Sequence, residues 1–329
     1  MDEFDFIRDV LTPLAGPEGL RLRDDAAVFT PSSGCDLVIT KDAMVEGVHF
    51  PNGHYGGDVA EKLLRVNLSD LAAKGAHPLG YLLSLAISKP VTEQDLRGFA
   101  QGLRDVQQAY DFTLWGGDTV STSGPFSVSA TFIGQVPSGQ MVKRSGAQVG
   151  DDVWVTGTIG DSYLGLQNIL GHALKPAPTS EQLWHWEEAY LRPEPRLLMR
   201  KIFREYASAS LDVSDGFLAD AAHLACASGV SLVLCIDDVP ISKASRAWLS
   251  GQAEALNAYE ALISGGDDYE ILFTAHPKHK DDLLRQVKAL GQTITKVGRV
   301  VTSQKHPLQT EYKGKTVTFK KTGYKHNIL

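Results

Sequence analysis

Acidic residues beside small or hydroxyl-bearing residues recur along the chain where predicted elements end. In Leu211–Gly216 the hydroxyl of Ser214 stands between the carboxylates of Asp212 and Asp215. Further acids occupy similar settings: Asp24, Asp25, Asp42, Asp70, Asp118, Asp267 and Asp268. Mg²⁺ prefers hard oxygen ligands and is usually held by one or two carboxylates plus a substrate phosphate. Several acids in one cleft would repel each other unless cations neutralised them, so convergence of this set predicts more than one metal ion.

Taken singly, each acid can also be a helix cap or a turn residue. Asp215 precedes a predicted helix, where aspartate is a favoured N-cap. Asp70 is harder to explain in this way, because aspartate inside a helix is unfavourable by propensity and gains nothing from capping. For Asp118 and Asp212 the residues leave both interpretations open, turn residue or metal ligand.

Several familiar catalytic and phosphate-binding motifs are absent from the sequence. It contains no GxxxxGK[ST] phosphate loop, no HRD or DFG kinase motif, no GxSxG elbow and no HExxH. Gly157–Gly160 lies between a predicted strand and helix, as a phosphate loop would, but a structural tight turn explains it better. We therefore expect chemistry by charge neutralisation and positioning, with no residue acting as a nucleophile.

Composition limits the classes of protein to consider. The 329 residues are 43% hydrophobic and 22% charged, which is enough chain for two domains of about 150 residues. A net charge of −7 disfavours a nucleic-acid partner. No apolar run approaches the roughly 20 residues of a membrane span, and the acidic N-terminus does not resemble a signal peptide. Three cysteines without CxxC spacing favour a reducing, cytoplasmic setting.

Hydrophobic periodicity predicts two sets of mixed strands and helices, with a boundary near residue 140. In the first set we expect helices over 4–14, from an Asp58 cap to about 74, and over 92–110, and strands over 37–40, 81–88, 112–115 and 126–132. In this scheme Asp42 follows a strand and Asp118 belongs to a Gly-Gly-Asp turn. In the second set we expect strands over 153–156, 211–215, 231–236, 269–274 and from 297, with helices between them.

Taken together, the motifs resemble those of the thiamine-monophosphate kinase family, within the aminoimidazole ribonucleotide synthetase superfamily. The resemblance runs from about residue 4 to Gly323–His326. It rests on segments that occur in the family's order: Asp24–Val28, Asp42–Phe50, Asn67–Ala73, Gly116–Thr119, Arg144–Ala147, Asp212–Gly216 and Gly265–Glu270.

The resemblance implies an α/β fold with two mixed domains. Residues 1–140 would form a metal- and ATP-binding domain whose sheet closes into a β-barrel with its copy in a homodimer. Residues 141–329 would form a sheet covered by helices that completes the ATP and substrate site. The implied reaction is direct, in-line transfer of the γ-phosphoryl of ATP to thiamine monophosphate, which yields thiamine diphosphate.

The resemblance also implies residue roles. The implied Mg²⁺ ligands are Asp25, Thr40, Asp42, Asp70, Asp118, Asp212 and Asp215. The implied ATP contacts are Gly117, Asp118, Arg144 and Ser214, and the implied thiamine monophosphate contacts are His49, Asp267 and Tyr324. Without the resemblance, His49 in its apolar stretch is typical of a structural histidine, and Arg144 of a solvated basic pair with Lys143.

Two residues depart from the family pattern, and two other functions stay open. Lys41 stands where many members have Ser or Thr, and Asp267 stands where many have the longer Glu. One alternative is an ATP-dependent ligase like aminoimidazole ribonucleotide synthetase, and the other is a non-catalytic MgATP-sensing module. The large set of acids disfavours the second, because binding alone rarely needs so many metals.

Overall fold

A computed structural model describes residues 3–324 of the chain. The last two residues of the motif Gly323–His326 lie outside that range. The chain divides into two compact units. Unit 1 contains the residues up to Leu71 and Ala76–Met141, and unit 2 contains Ala72–Gly75 and the residues from Val142 onwards. Among the described residues, no helix combines the length and the apolar character needed to cross a membrane.

The sheet of unit 1 has four strands in the order β1-β4-β2-β3. They are β1 Cys35–Val45, β2 His77–Ser88, β3 Thr113–Thr122 and β4 Ser127–Pro137. Strand β4 is antiparallel to both β1 and β2, whereas β3 is parallel to β2. Among the described residues, the first three α-helices are α1 Glu3–Phe6, α2 Gly57–Ala73 and α3 Glu93–Tyr110.

Alternating polarity explains how the sheet of unit 1 buries one face. Val128, Ala130 and Phe132 of β4 are buried, and the Ser and Thr residues between them are half-buried on the opposite face, as the sequence predicted. The predicted capping box of α3 is confirmed. The Thr92 hydroxyl accepts the Asp95 amide N–H at 3.2 Å, and the Asp95 carboxylate accepts the Thr92 amide N–H at 2.8 Å.

Several local predictions for unit 1 were wrong. Asp42 lies inside β1 and Asp118 lies inside β3, so neither follows a strand or occupies a turn. Helix α2 already includes Gly57, which places Asp58 in its first turn and not at the N-cap. The predicted helix over 4–14 is helical but irregular, with π and 3₁₀ geometry after Phe6.

The sheet of unit 2 has seven strands in the order β11-β10-β7-β9-β5-β8-β6. They are β5 Asp152–Thr156, β6 Ala207–Asp212, β7 Ser231–Cys235, β8 Ile271–Ala275, β9 Ile294–Val301, β10 Leu308–Tyr312 and β11 Lys315–Val317. All neighbours are antiparallel except the parallel pair β10 and β7.

Helices in unit 2 account for most of the chain between its strands. They are α4 Asp161–Ile169, α5 Ser180–Leu191, α6 Arg200–Tyr206, α7 Phe217–Ser228, α8 Lys243–Ser250, α9 Ala255–Ile263 and α10 Lys280–Ala289. Periodicity did not predict α8 or α10. The main core includes fully buried Trp186, Phe217 and Leu272. The described residues therefore have the predicted mixed α/β fold class, with one sheet in each unit.

Candidate active site

In unit 1 the predicted metal ligands Thr40, Asp42 and Asp70 lie together. Thr40 and Asp42 are two residues apart on β1 and therefore share a face of the strand. The Thr40 hydroxyl donates a hydrogen bond to the Asp70 carboxylate of α2. One turn earlier in α2, the side-chain oxygen of Asn67 accepts the Asp42 amide N–H at 3.1 Å. Helix α2 and strand β1 thus bring two carboxylates and one hydroxyl together.

The grouping disfavours the charged form of the Asp42 carboxylate. Burial, together with the negative charge of Asp70, raises the pKa of Asp42 to about 7. The nearby donors that could face a cation are carboxylate and hydroxyl oxygens, which are the ligands that Mg²⁺ prefers. A divalent ion here would relieve the repulsion, so the residues fit a magnesium site.

Asp118 lies on the other face of the same sheet. The strand register pairs Asp42 with Ala130, Ala130 with Leu83, and Leu83 with Gly117, so these four residues share a face. Asp118, the next residue, therefore projects from the opposite face. Strands β1 and β3 are also the two edges of the sheet, and three strand spacings separate them by about 14 Å. Within one chain, Asp42 and Asp118 cannot ligate the same ion.

Gly117 is required by the close approach of β2 and β3. A Cβ atom at this position would lie 1.9 Å from the backbone oxygen of Leu83. Any side chain would therefore force the two strands apart. The glycine fixes the backbone from which Asp118 projects.

The remaining predicted residues of unit 1 lie outside regular elements. Asp25 is exposed, and its amide N–H donates to the Asp24 carboxylate at 2.8 Å. His49 follows β1 in a tight turn, where its Nδ1 accepts the Val45 amide N–H at 3.1 Å.

Lys41 points away from Thr40 and Asp42, because its Nζ donates to the Ser129 hydroxyl at 3.0 Å. Its ammonium therefore does not take a metal's place beside Asp42.

In unit 2 the segment Asp212–Gly216, here called the 212–216 turn, joins β6 to α7. Its backbone is hydrogen-bonded to the backbone of the Gly265–Glu270 loop at two positions. The Asp267 amide N–H donates to the Ser214 carbonyl and the Tyr269 amide N–H donates to the Val213 carbonyl, each at 2.8 Å. Helix α7 begins after Gly216, so the interpretation of Asp215 as its N-cap was wrong.

Two of the residues predicted to contact thiamine monophosphate lie against this turn. The Tyr324 amide N–H donates to the Asp215 carbonyl at 2.8 Å, and its side chain is 48% exposed. Gly266 has a φ of +81°, and a Cβ there would lie 2.6 Å from the Ser214 carbonyl oxygen. Unit 2 thus gathers Ser214, Asp215, Asp267 and Tyr324 through main-chain contacts.

Beneath the turn lies a carboxylate that sequence reasoning missed. Asp220 of α7 is 4% exposed and accepts the amide N–H groups of Asp215 and Gly216 at 3.0 and 3.2 Å. Burial, together with the charge of Asp215, raises the pKa of Asp220 to about 7. One ligand atom each from Asp215, Asp220 and the exposed His223 lies within 4.8 Å of the others. The argument that singled out Asp70 does not apply to Asp220, because Asp220 lies in the first turn of its helix, where an acid is favourable.

Arg144 lies in the exposed loop between Val142 and Gly150. The loop is tied down by the Ser228 hydroxyl, which accepts the amide N–H groups of Gly146 and Ala147 at 3.2 Å each. An exposed guanidinium on an anchored loop is suited to bind phosphate oxygens through its paired N–H groups.

Two family models match most of the chain. The model of the N-terminal domain of AIR synthase related proteins matches residues 23–136, and that of the C-terminal domain matches residues 148–310. The chain is also 42% identical to the thiamine-monophosphate kinase of Caulobacter vibrioides, over 98% of this chain and 90% of that one. The chain belongs to the thiamine-monophosphate kinase family.

Solved structures of thiamine-monophosphate kinases share the fold. The enzyme of Stenotrophomonas maltophilia superposes with a TM-score of 0.81 at 36% identity, covering 95% of this chain and 96% of that one. AaThiL complexed with AMPPCP and TMP superposes with a TM-score of 0.77 at 29% identity, covering 99% of this chain and 97% of that one. Similarity to this kinase family therefore extends over nearly the whole chain in both sequence and fold.

Proposed function

We propose that this chain is a thiamine-monophosphate kinase, which transfers the γ-phosphoryl of ATP to thiamine monophosphate and releases thiamine diphosphate and ADP. The observation that carries the proposal is the grouping of Thr40, Asp42 and Asp70 in a chain that belongs to this family. Two carboxylates kept close at a cost in charge repulsion are expected where a metal–phosphate complex is bound.

The proposed Mg²⁺ ligands are Asp25, Thr40, Asp42, Asp70, Asp118, Asp212 and Asp215. When bound, Mg²⁺ would neutralise charge on the phosphate oxygens and orient the phosphates for in-line displacement. The proposed ATP contacts are Gly117, Asp118, Arg144 and Ser214. Arg144 would bind phosphate oxygens bidentately, and the Ser214 hydroxyl would donate a hydrogen bond to them. The γ-phosphoryl passes directly from ATP to thiamine monophosphate, because no residue of this chain is proposed as a covalent nucleophile.

The proposed contacts to thiamine monophosphate are His49, Asp267 and Tyr324. The Asp267 carboxylate would attract the cationic thiazolium or accept donors of the aminopyrimidine. The loop backbone that carries Asp267 is fixed by its bond to Ser214. The shorter aspartate at this position therefore leaves room for a water molecule or a closer substrate, without any change in the loop.

We further propose that the chain works as a homodimer through the sheet of unit 1, with the two sheets closing into a barrel. The face that carries Asp118 also carries the exposed apolar side chains of Leu37, Ile39, Leu82 and Val120, here called the outer face. Ile39 alone is 64% exposed. Burial of such a face between two copies is favourable at about 25 cal/mol for each Å² of apolar surface.

A homodimer would also resolve the separation of Asp118 from Asp42. In a barrel closed edge to edge, β3 of one copy would lie beside β1 of the other, so Asp118 would lie near the Asp42 site of a second copy. On this proposal residues 1–140 form the metal-binding and dimerisation domain, and residues 141–329 supply the remaining ATP and substrate contacts. We propose a cytoplasmic location, which the three free cysteines support.

The activity is tested by incubating the purified chain with MgATP and thiamine monophosphate and separating the products chromatographically. We expect thiamine diphosphate and ADP in equal amounts. Absence of thiamine diphosphate, with turnover of the aminoimidazole ribonucleotide synthetase substrate instead, would refute the proposal in favour of the related ligase.

The shared site is tested by mixing two inactive variants, Asp42→Asn and Asp118→Asn. If Asp118 acts in the partner's site, each mixed dimer has one wild-type site, and random exchange of subunits restores about one quarter of wild-type activity. If both aspartates act within one chain, the mixture stays inactive. Sedimentation of each variant checks that dimers form.

A further inference from the structure

The position of Asp215 is controlled from two sides. On one side, the backbone of the 212–216 turn is bonded to the Gly265–Glu270 loop and to Tyr324. On the other side lies α7, whose fourth residue is Asp220. The side chain of Asp220 crosses back to the turn and accepts the amide N–H groups of Asp215 and Gly216 with one oxygen, Oδ2.

The burial of Asp220 makes these two contacts important for the turn. A carboxylate that is 4% exposed is stable only where hydrogen bonds replace its water. Gly216, the N-cap position of α7, has no side chain to satisfy the first amide groups, and its φ is +127°. Asp220 reaches back from the first turn of α7 to the Gly216 amide at the N-cap, as the acid of a capping box does.

The consequence for Asp215 follows from geometry. Its amide N–H is held by Asp220 and its carbonyl by Tyr324, so both of its peptide groups are fixed. With the backbone fixed on both sides, the Asp215 carboxylate is confined to the few orientations that its own side-chain rotamers allow. Loss of the Asp220 acceptor would leave the Asp215 amide unpaired and free to rotate.

We propose that Asp220 is a positioning residue for the phosphoryl transfer, which fixes Asp215 in the orientation needed to bind metal. This role rests on the proposed function for Asp215 as a magnesium ligand. Groups that orient a metal ligand typically change metal affinity or activity by 10- to 100-fold when removed. Asp220 is thus expected to affect the requirement for Mg²⁺ more than the KM for thiamine monophosphate.

The test compares Asp220→Asn with Asp220→Leu in the full-length chain. The asparagine oxygen can still accept both amide groups, whereas leucine fills the buried volume without an acceptor. In Asp220→Leu we expect the Mg²⁺ concentration for half-maximal activity to rise about tenfold. Amide hydrogen exchange in fragments covering 211–217 should accelerate about tenfold without metal or substrate. In Asp220→Asn both quantities should stay within about twofold of wild type.

Asp151 provides a matched control. It is 2% exposed and accepts the Gln148 amide N–H at 3.0 Å and the Ser208 hydroxyl at 2.6 Å, at the other end of strand β6. Asp151→Leu removes a comparable buried acceptor, so it should lower stability while leaving the Mg²⁺ requirement and exchange over 211–217 unchanged.

The two measurements separate the possible failures. Unchanged exchange and an unchanged Mg²⁺ requirement in Asp220→Leu would overturn the proposal, as would an equal rise in the Mg²⁺ requirement in Asp151→Leu. If Asp220→Leu fails to fold, Asp220→Ala replaces it with the same expectations. If the wild-type chain makes no thiamine diphosphate, the proposed function fails, while the exchange measurement still shows whether Asp220 holds the turn.

Discussion

Replacement of Asp42 by asparagine should remove activity and yet stabilise the metal-free protein at alkaline pH. Asp42 is partly buried beside Asp70, and its pKa in the folded chain is raised to about 7 from an ordinary 3.8. An acid with a raised folded-state pKa contributes stability that is fully present below its unfolded pKa. That stability is lost as the pH rises through the folded pKa. At pH 8 the folded chain therefore carries an unfavourable charge that asparagine lacks.

The expected size follows from the same two pKa values. At pH 5.5 Asp42 is protonated in the folded chain and charged in the unfolded chain. At 1.36 kcal/mol for each unit below the folded pKa, protonation stabilises the wild type by about 2 kcal/mol relative to pH 8. Asparagine does not titrate. The stability advantage of Asp42→Asn over the wild type should therefore shrink by about 2 kcal/mol between pH 8 and pH 5.5.

The measurement is chemical denaturation of both proteins in chelator at several pH values. Subtraction of one free energy of unfolding from the other removes the titration of groups that the two proteins share, such as Asp220. Asp105→Asn is the control, because it removes an exposed carboxylate of α3 and leaves Asp42 and Asp70 in place. Its pH dependence should follow that of the wild type.

Addition of Mg²⁺ at pH 8 provides a second readout. An ion that binds only the folded chain stabilises it by about 2.7 kcal/mol at a hundred times its Kd, and Asp42→Asn should lose most of this gain. A stability difference between the two proteins that does not change with pH would show that Asp42 is not strained by burial and by Asp70. An equal response to Mg²⁺ would show that Asp42 does not bind the ion.

Two further predictions concern the framework of the candidate site. Gly117→Ala should lower the free energy of unfolding by about 3 kcal/mol and abolish activity, because the new Cβ would lie 1.9 Å from the Leu83 carbonyl oxygen. Gly116→Ala is the control, because its Cβ would lie 3.4 Å from the nearest neighbouring atom. Arg196→Met should cost about 3 to 5 kcal/mol, because it leaves the buried Glu270 carboxylate without the guanidinium that donates to it at 2.7 Å. Chemical denaturation measures the free energy of unfolding of each variant. The double variant Arg196→Met/Glu270→Gln should recover part of the stability that Arg196→Met loses. Equal stability of Arg196→Met and the double variant would contradict the pairing of Arg196 with Glu270.

The sequence predicts the elements better than it predicts the positions of the acids within them. Periodicity found α3 and its cap, because a helix with one buried stripe repeats its apolar residues regularly. It placed Asp42 and Asp118 beyond the ends of strands, because polar and small residues usually interrupt strands. Asp118 lies on the face that is exposed in one chain, and Asp42 lies on the opposite face, where its amide is bonded to Asn67 of α2, so local polarity did not show that their strands continue.

The arrangement of the candidate site depends on strand order and register, which local sequence does not encode. That Asp42 and Asp118 occupy opposite faces follows only from the pairing of β1, β4, β2 and β3. Asp220 was missed for a different reason. Its role comes from a contact back to the preceding turn, whereas the neighbouring apolar residues give it the pattern of an ordinary core helix.

The contacts that gather Ser214, Asp215, Asp267 and Tyr324 are made by main-chain atoms. Side chains at Ser214, Asp215 and Tyr324 can therefore be exchanged while the scaffold keeps its shape, whereas Asp267, with a φ of +61°, favours only Asn or Gly as replacements. On the proposed roles, substrate preference and structural integrity are thus encoded by different atoms of the same segments. This separation makes these segments suitable for directed evolution, where a library at Tyr324, with Asp267 limited to Asp, Asn and Gly, should alter the accepted phosphate ester while most members still fold.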